Sequence, residues 1–380
     1  MAAIRAHLWP NPAGRGPVLT MFRNITTLCA ALAITLALQG CGDRSGAPAG
    51  RFSLDAPLPE KVPPGVQLVI GDPITQAVLE HNGWDKDLPF KVEWAQMAGG
   101  PQVTEAFHAK ALDVGTAANV PPIHAVWVGI PVKIIAVQFR KRDSGQPSWR
   151  LGISPKAKVN SLADLRGKKI AFSAGQVQGE VVLRTLKDQG LKKSDVTLVE
   201  LPSTGDVYIN ALVAGLVDVA PLGSGGISQR YIRDFARNGA KLLDHSQFRD
   251  DLGVVYTRTE ILEDPGKAAA LRAYVQIWAR ARQWIAAHQS EWAECYYKKN
   301  QGLSSQEALQ IVRAQGAPDI PANWSEAVKH QQATIDLFAE QNGTKHFDAG
   351  TLFDRRFESV AADAAHAEAA LYSAPREKAR

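Results

Sequence analysis

Cysteine is scarce in this chain, with three in 380 residues. Cys29 and Cys41 fall in an N-terminal segment with export character. Cys295 is then left alone in an aromatic run with Trp292, Tyr296 and Tyr297. No internal disulfide can staple the exported fold, so stability rests on core burial, and Cys295 reads as a structural residue. An excess of one charge is also missing. The 43 Lys and Arg face 38 Asp and Glu, a formal +5. Arg5, Arg15 and Arg23 precede residue 41 with no acid among them, so losing that segment leaves 40 against 38, or +2. That balance is no nucleic-acid footprint. Nine histidines are scattered without H-x-x-x-H spacing, and the i,i+3 pair Glu105/His108 has no second pair nearby, so no metal is expected. No G-x-G-x-x-G follows the first strand, no Gly-Lys-Ser/Thr ends a phosphate loop, and Pro221-Leu222 precede Gly223-Ser224-Gly225-Gly226 where a nucleophile elbow would differ. These absences argue against catalysis, and no cofactor is expected.

The longest apolar run, Ile25 to Leu38, is too short for a bilayer that needs roughly 20 residues. Met21 and Arg23 precede it and Leu38-Gln39-Gly40-Cys41 close it. A basic start, an apolar centre and a small residue at the break predict an export signal over 1–40, with Cys41 as a lipid attachment point. The competing reading is an uncleaved anchor, or a chance cysteine in an apolar stretch. Residues 1–20 read as an over-extended start ahead of Met21. The expected location is the periplasm or cell surface, with the chain lipid-anchored to a bacterial membrane.

Residues 41–64 are rich in Gly, Pro, Ser and Ala and read as a flexible tether. Beyond it, short apolar runs alternate with helical patterns. The expected strands include 66–70, 91–94, 112–115, 132–137, 169–172, 196–201, 217–220 and 254–256, with helices between most of them. This alternation indicates βαβ units around a largely parallel sheet, an α/β fold. After Pro265 the chain becomes helical. Leu271, Tyr274, Val275, Trp278, Ala281, Trp284 and Ile285 follow a 3/4 spacing, read as a core face rather than a ligand platform. About 340 exported residues exceed what one core serves comfortably, so two lobes are expected.

Five loops share one design, a strand end followed by small residues or Gly/Pro and then a helix: 71–74, 99–102, 116–122, 173–179 and 223–227. Ligands bind beyond the carboxyl ends of strands in such sheets, where helix N-termini present unpaired N–H groups. Any single loop reads equally as an ordinary βα turn; five on two lobes favour a binding cleft. The candidate ligand-binding residues are Asp72, Pro73, Ile74, Gly99, Gly100, Pro101, Gln102, Thr116, Ala117, Asn119, Ser173, Gly175, Gln176, Val177, Gly223, Ser224 and Gly225. Gln102, Thr116, Asn119, Ser173, Gln176 and Ser224 would hold a polar head, with Pro73, Ile74 and Val177 against nonpolar parts.

Two blocks carry a family resemblance. The first runs through Val92-Glu93-Trp94, Gly99-Gly100-Pro101-Gln102, Glu105-Ala106-Phe107, Leu112-Asp113-Val114-Gly115 and Asn119-Val120-Pro121-Pro122-Ile123-His124-Ala125; the second spans Ser161 to Phe172. Together they resemble the aliphatic sulfonate/nitrate/taurine-binding lipoproteins of ABC importers. The resemblance covers roughly residues 65–345. It implies a two-lobed type II periplasmic-binding-protein fold with mixed, mostly parallel sheets and a helical C-terminal part. Lobe one would be 60–148 plus 250–365, and lobe two 149–249. It further implies a small anionic or zwitterionic ligand, a permease and its ATPase as partners, and a monomer. The family's tryptophan-rich segment after "V-D-A" is replaced here by Ala220 to Gly226, which implies a larger or differently shaped pocket. Asp72 would oppose a bare anion unless it faces an amine or hydroxyl. A pyridoxal-phosphate-dependent pyrimidine synthase shares the fold, but its cysteine-rich motif is missing. A non-transport envelope ligand-binding protein is the other alternative.

Overall fold

The structure is a computed structural model that describes residues 51–97, 99–141, 147–245 and 248–373. The export segment, Cys41 and the start of the expected tether lie outside the described residues. Two mixed sheets organise the chain. The first has the order β11-β4-β10-β3-β1-β2, built from β1 (Gln67–Gly71), β2 (Lys91–Trp94), β3 (Val114–Ala118), β4 (Val132–Arg140), β10 (Gly253–Arg258) and β11 (Pro318–Asp319). The second has the order β7-β6-β8-β5-β9, from β5 (Trp149–Ile153), β6 (Lys169–Phe172), β7 (Thr197–Glu200), β8 (Val219–Gly223) and β9 (Lys241–Asp244). The chain crosses to the second sheet after β4 and returns before β10.

In the first sheet β2 and β3 lie parallel to β1, while β10 runs antiparallel between β3 and β4. The carboxyl ends of β1 to β4 therefore share one edge. In the second sheet β6 is parallel to both β7 and β8, and β5 is antiparallel to β8 and β9. The crossovers are tied at Asp250 and Asp251. Asp250 accepts the N–H groups of Ser148 and Trp149 at 2.9 and 2.7 Å, and Asp251 accepts that of Arg140 at 2.7 Å.

Helix Pro265–Ala287 starts with proline after an Asp264 cap that accepts the Lys267 N–H, an arrangement suited to a first turn. Its stripe from Leu271 to Trp284 is at most 4% exposed, so the aromatic face is core, while Ile285 at the end of the pattern is half-buried and lines a hollow. The expected tether is not free from residue 51 onward. Phe52 N–H donates to Glu263 O at 2.8 Å, Arg356 donates to Ser53 O and Ala56 O, and Leu54, Leu58 and Val62 pack on the first core. Leucines spaced among the prolines supply this grip. Among the described residues no helix is long and apolar enough to cross a membrane.

Candidate functional site

The carboxyl edge of the first sheet begins at Asp72, which follows β1 and is 1% exposed. It caps helix Pro73–Asn82, accepting the Thr75 N–H at 3.1 Å and the Thr75 hydroxyl at 2.6 Å. It also accepts the Tyr274 hydroxyl at 2.8 Å and the Arg282 guanidinium at 3.4 Å. The charge that would repel an anion is therefore neutralised by a half-buried cation. The Asp72 carboxyl is fully engaged within the protein.

Two glycines make the next loop possible. Gly99 has φ 146°, a conformation open to glycine. At Gly100 a Cβ would lie 2.5 Å from Gln176 Oε1 and 2.6 Å from Pro121 Cγ. This contact joins the two sheets: Gly100 and Pro121 belong to the first, Gln176 to the loop after β6. Gly175 makes a second junction, where a Cβ would lie 2.8 Å from the His124 ring. Burial lowers the pKa of His124, and its Nδ1 has no hydrogen-bond partner among the described residues. Pro101 is half-buried and Gln102 exposed. Thr116 and Ala117 stand half-buried on β3, with the Thr116 hydroxyl 3.5 Å from Gly71 O.

Asn119 leads into the deepest part of the seam. It is 2% exposed, and its Nδ2 donates to Glu180 Oε2 at 2.5 Å and to Thr334 Oγ1 at 3.2 Å. Glu180, 1% exposed on helix Val177–Asp188, also accepts Arg184 Nε and Thr334 Oγ1, each at 2.7 Å. Gln331 Nε2 donates to Asn119 O at 2.9 Å. Thus helix Ser325–Asn342 latches the first sheet's loop to the second sheet's helix. Burial alone would push the Glu180 carboxyl up; Arg184, His330, Asn119 and Thr334 outweigh it and hold it low. His330 is shifted down, first by burial, with Glu180 opposing.

On the second sheet Ser173, Gln176 and Val177 are buried. Gly223 ends β8 paired with Trp149, and Ser224 N–H donates to Ser148 O at 2.8 Å. The Ser224 hydroxyl is buried without a partner among the described residues and lines a hollow of about 410 Å³ with Arg150, Ser228 and Gln310. Gly225 caps helix Gly226–Phe235 and faces Ile311. The loops at 99–102, 116–122 and 173–177 therefore meet in one seam. Those at 71–74 and 223–225 open onto separate hollows.

The hollow beside Ile74 measures about 190 Å³ and holds Gln138, Arg140, Arg282, Trp292, Tyr297 and Gln315. None of Gln138, Arg140, Arg282, Trp292, Tyr297 and Gln315 lies in a loop of small residues or Gly/Pro, and the fourth strand expected from the sequence ends at Val137. The strand runs on to Arg140, so the rule that ligands gather at strand carboxyl ends pointed to Gln138 and Arg140 as well. Burial pulls the Arg140 guanidinium down from its usual value, opposed by Asp250, Asp251 and Tyr297; an arginine there stays charged.

The family model described as "NMT1/THI5 like" matches residues 77–291, more than half of the chain. A putative aliphatic sulfonates-binding protein of Escherichia coli (strain K12) is 29% identical over 106 residues, 28% of this chain and 32% of that protein. The aligned part thus spans about a third of the relative's length. Among solved structures, the alkanesulfonate-binding protein SsuA from Xanthomonas axonopodis pv. citri bound to MOPS has a TM-score of 0.64 at 20% identity, covering 78% of this chain and 99% of that one. The periplasmic aliphatic sulphonate binding protein SsuA from Escherichia coli gives 0.61 at 21%, covering 77% and 92%. The desulfurization enzyme DSZB gives 0.54 at 14%, covering 78% and 99%. The shared architecture is the periplasmic-binding-protein fold.

Proposed function

The chain belongs to the NMT1/THI5-like family, and from that premise we propose that it is the extracytoplasmic solute-binding component of an ABC importer. Its ligand is a small anionic or zwitterionic organic solute of the sulfonate, nitrate or taurine class, captured by closure of two lobes, 60–148 plus 250–365 on 149–249. The observation that carries this reading is the seam. Strand-end loops of both sheets reach each other at Gly100–Gln176 and Gly175–His124, where a side chain on either glycine would collide. Loops that meet so closely, from two bodies joined by two crossovers, fit a hinge motion on a μs–ms scale. The name of the Escherichia coli relative supports a sulfonate.

In this reading the protein binds and does not catalyse, works as a monomer, and presents its closed shape to a permease and ATPase. Cleavage before Cys41 and a lipid on that residue would hold it to the membrane. The test is differential scanning calorimetry with ethanesulfonate, taurine and nitrate. A ligand at 100 times its Kd adds about 2.7 kcal/mol of stability, a shift of several degrees. No shift with any of the three contradicts the reading.

A further inference from the structure

We propose that Gln176, on the loop after β6, is a built-in occupant of the seam between the two sheets. Its carboxamide sits against the amino end of helix Gly100–His108, and a solute must displace it to bind there. This rests on the solute-binding reading and reverses the expectation that Gln176 holds the solute's polar head.

The geometry of Gly100 comes first. A Cβ on it would stand 2.5 Å from Gln176 Oε1 and 3.3 Å from Gln176 Cδ. Gly100 is the first residue of its helix, and Cα–Cβ bonds tilt towards a helix's amino end. The Gln176 oxygen therefore lies at the positive pole. That pole has no side-chain cap of its own, because Gly99 holds the capping position. The next helix along the seam, Val120–Trp127, is a poorer host, since Pro121 and Pro122 in its first turn carry no N–H. Asn119 before it spends its amide on Glu180 and Thr334.

The state of the carboxamide is the second observation. Gln176 is 7% exposed, yet its side chain makes no hydrogen bond among the described residues. Its main chain alone is engaged, the N–H donating to Ser173 O at 3.2 Å and the carbonyl accepting the Gly179 N–H at 2.9 Å. A polar group buried in this way gives up water for a dipole contact, and returning it to solvent recovers that loss. It is a weak occupant by construction. A solute head that accepts hydrogen bonds from the first turn gains more there, and a charged head gains more still. A neutral head that offers no more than an amide does not displace it. Gln176 thus sets a threshold, and self-occupancy lowers apparent affinity by the fraction of time the place is taken.

The test is isothermal titration and stopped-flow fluorescence of the purified full chain in mild detergent with ethanesulfonate, taurine and nitrate. Gln176→Ala tightens binding about twofold to tenfold, the range a neutral hydrogen-bonding group commands. The gain lies in the association rate, because no occupant has to leave first, while the dissociation rate is unchanged. Gln176→Ser repeats the gain. Serine suits this position, the cap of helix Val177–Asp188, so that variant decides the matter if Gln176→Ala fails to fold. Weaker binding with faster dissociation makes Gln176 a solute contact and overturns the proposal, as does unchanged affinity in both variants; either result leaves solute binding intact. If neither the wild type nor the variants bind any of the three solutes, both readings fall.

Discussion

Glu180→Gln is expected to weaken the latch between the two sheets more than any surface change. Glu180 is 1% exposed and receives Asn119 Nδ2 at 2.5 Å, with Arg184 Nε and Thr334 Oγ1 at 2.7 Å. Glutamine keeps the shape but removes the anion, so the Arg184 guanidinium faces an amide. Removing one partner of a buried ion pair costs about 3–5 kcal/mol. Arg184 keeps 19% of its side chain exposed, which places the cost near the lower end, about 3 kcal/mol. Total stability is of order 5–15 kcal/mol. At about 2–4 °C per kcal/mol for a large domain, the melting temperature falls by roughly 6–12 °C. Calorimetric melts of Glu180→Gln, Asn119→Ala and the double variant measure this. Asn119→Ala alone costs about 1–3 kcal/mol, and the pair costs less than the sum because both act on one contact. A fall below about 2 °C in Glu180→Gln, or strict additivity, would refute the latch.

Acid should loosen the same seam. His330 and Glu180 both have depressed pKa values, so their contributions are present above the unfolded values and lost as pH falls, beginning below about 6.5 for His330 and 4.5 for Glu180. Melting temperature should drop from pH 7 to pH 5, with a slope of at most about 1.4 kcal/mol per pH unit per proton, and His330→Gln should flatten it; a flat wild-type profile contradicts the assignment. Gly100→Ala drives a Cβ towards Pro121 Cγ at 2.6 Å, so it should cost about 1–3 kcal/mol and weaken ethanesulfonate binding by titration. Unchanged affinity would separate that junction from closure. Burial raises the Cys295 thiol, aided by Glu291. Iodoacetamide should therefore label it more slowly than a free thiol at pH 7.5 and catch up in denaturant, as followed by mass spectrometry; rapid native labelling contradicts this.

Much of the scaffold was legible because its strands are short apolar runs with clear stops. Lys91–Trp94 and Lys169–Phe172 occur as expected, and the Ser161 turn carries its capping box with Asp164. Tertiary contacts moved other boundaries. Gly179 was expected to open a helix, yet the helix begins at Val177, and Gly179 is there because a Cβ would lie 2.3 Å from Ser173 O. Gly223 was expected in a loop but pairs with Trp149 in β8. Strands β5 and β9 are not marked in the sequence because Arg150 interrupts the first, only Leu242 and Leu243 are apolar in the second, and their pairing comes from distant partners. The site was harder to read. Asn119 meets Glu180 across 61 positions of sequence, and Ile74 shares a cavity with Tyr297. No local spacing encodes such meetings.

Closure on a solute is measured most directly by the distance between the two bodies. Val128 follows helix Val120–Trp127 of the first and Leu216 follows helix Val207–Ala214 of the second; they are 50% and 53% exposed. Spin labels at Val128→Cys and Leu216→Cys, in a Cys295→Ser background, report that distance by pulsed electron resonance. Saturating ethanesulfonate should shorten and narrow the distribution. A distribution that stays the same under saturating solute would contradict the account.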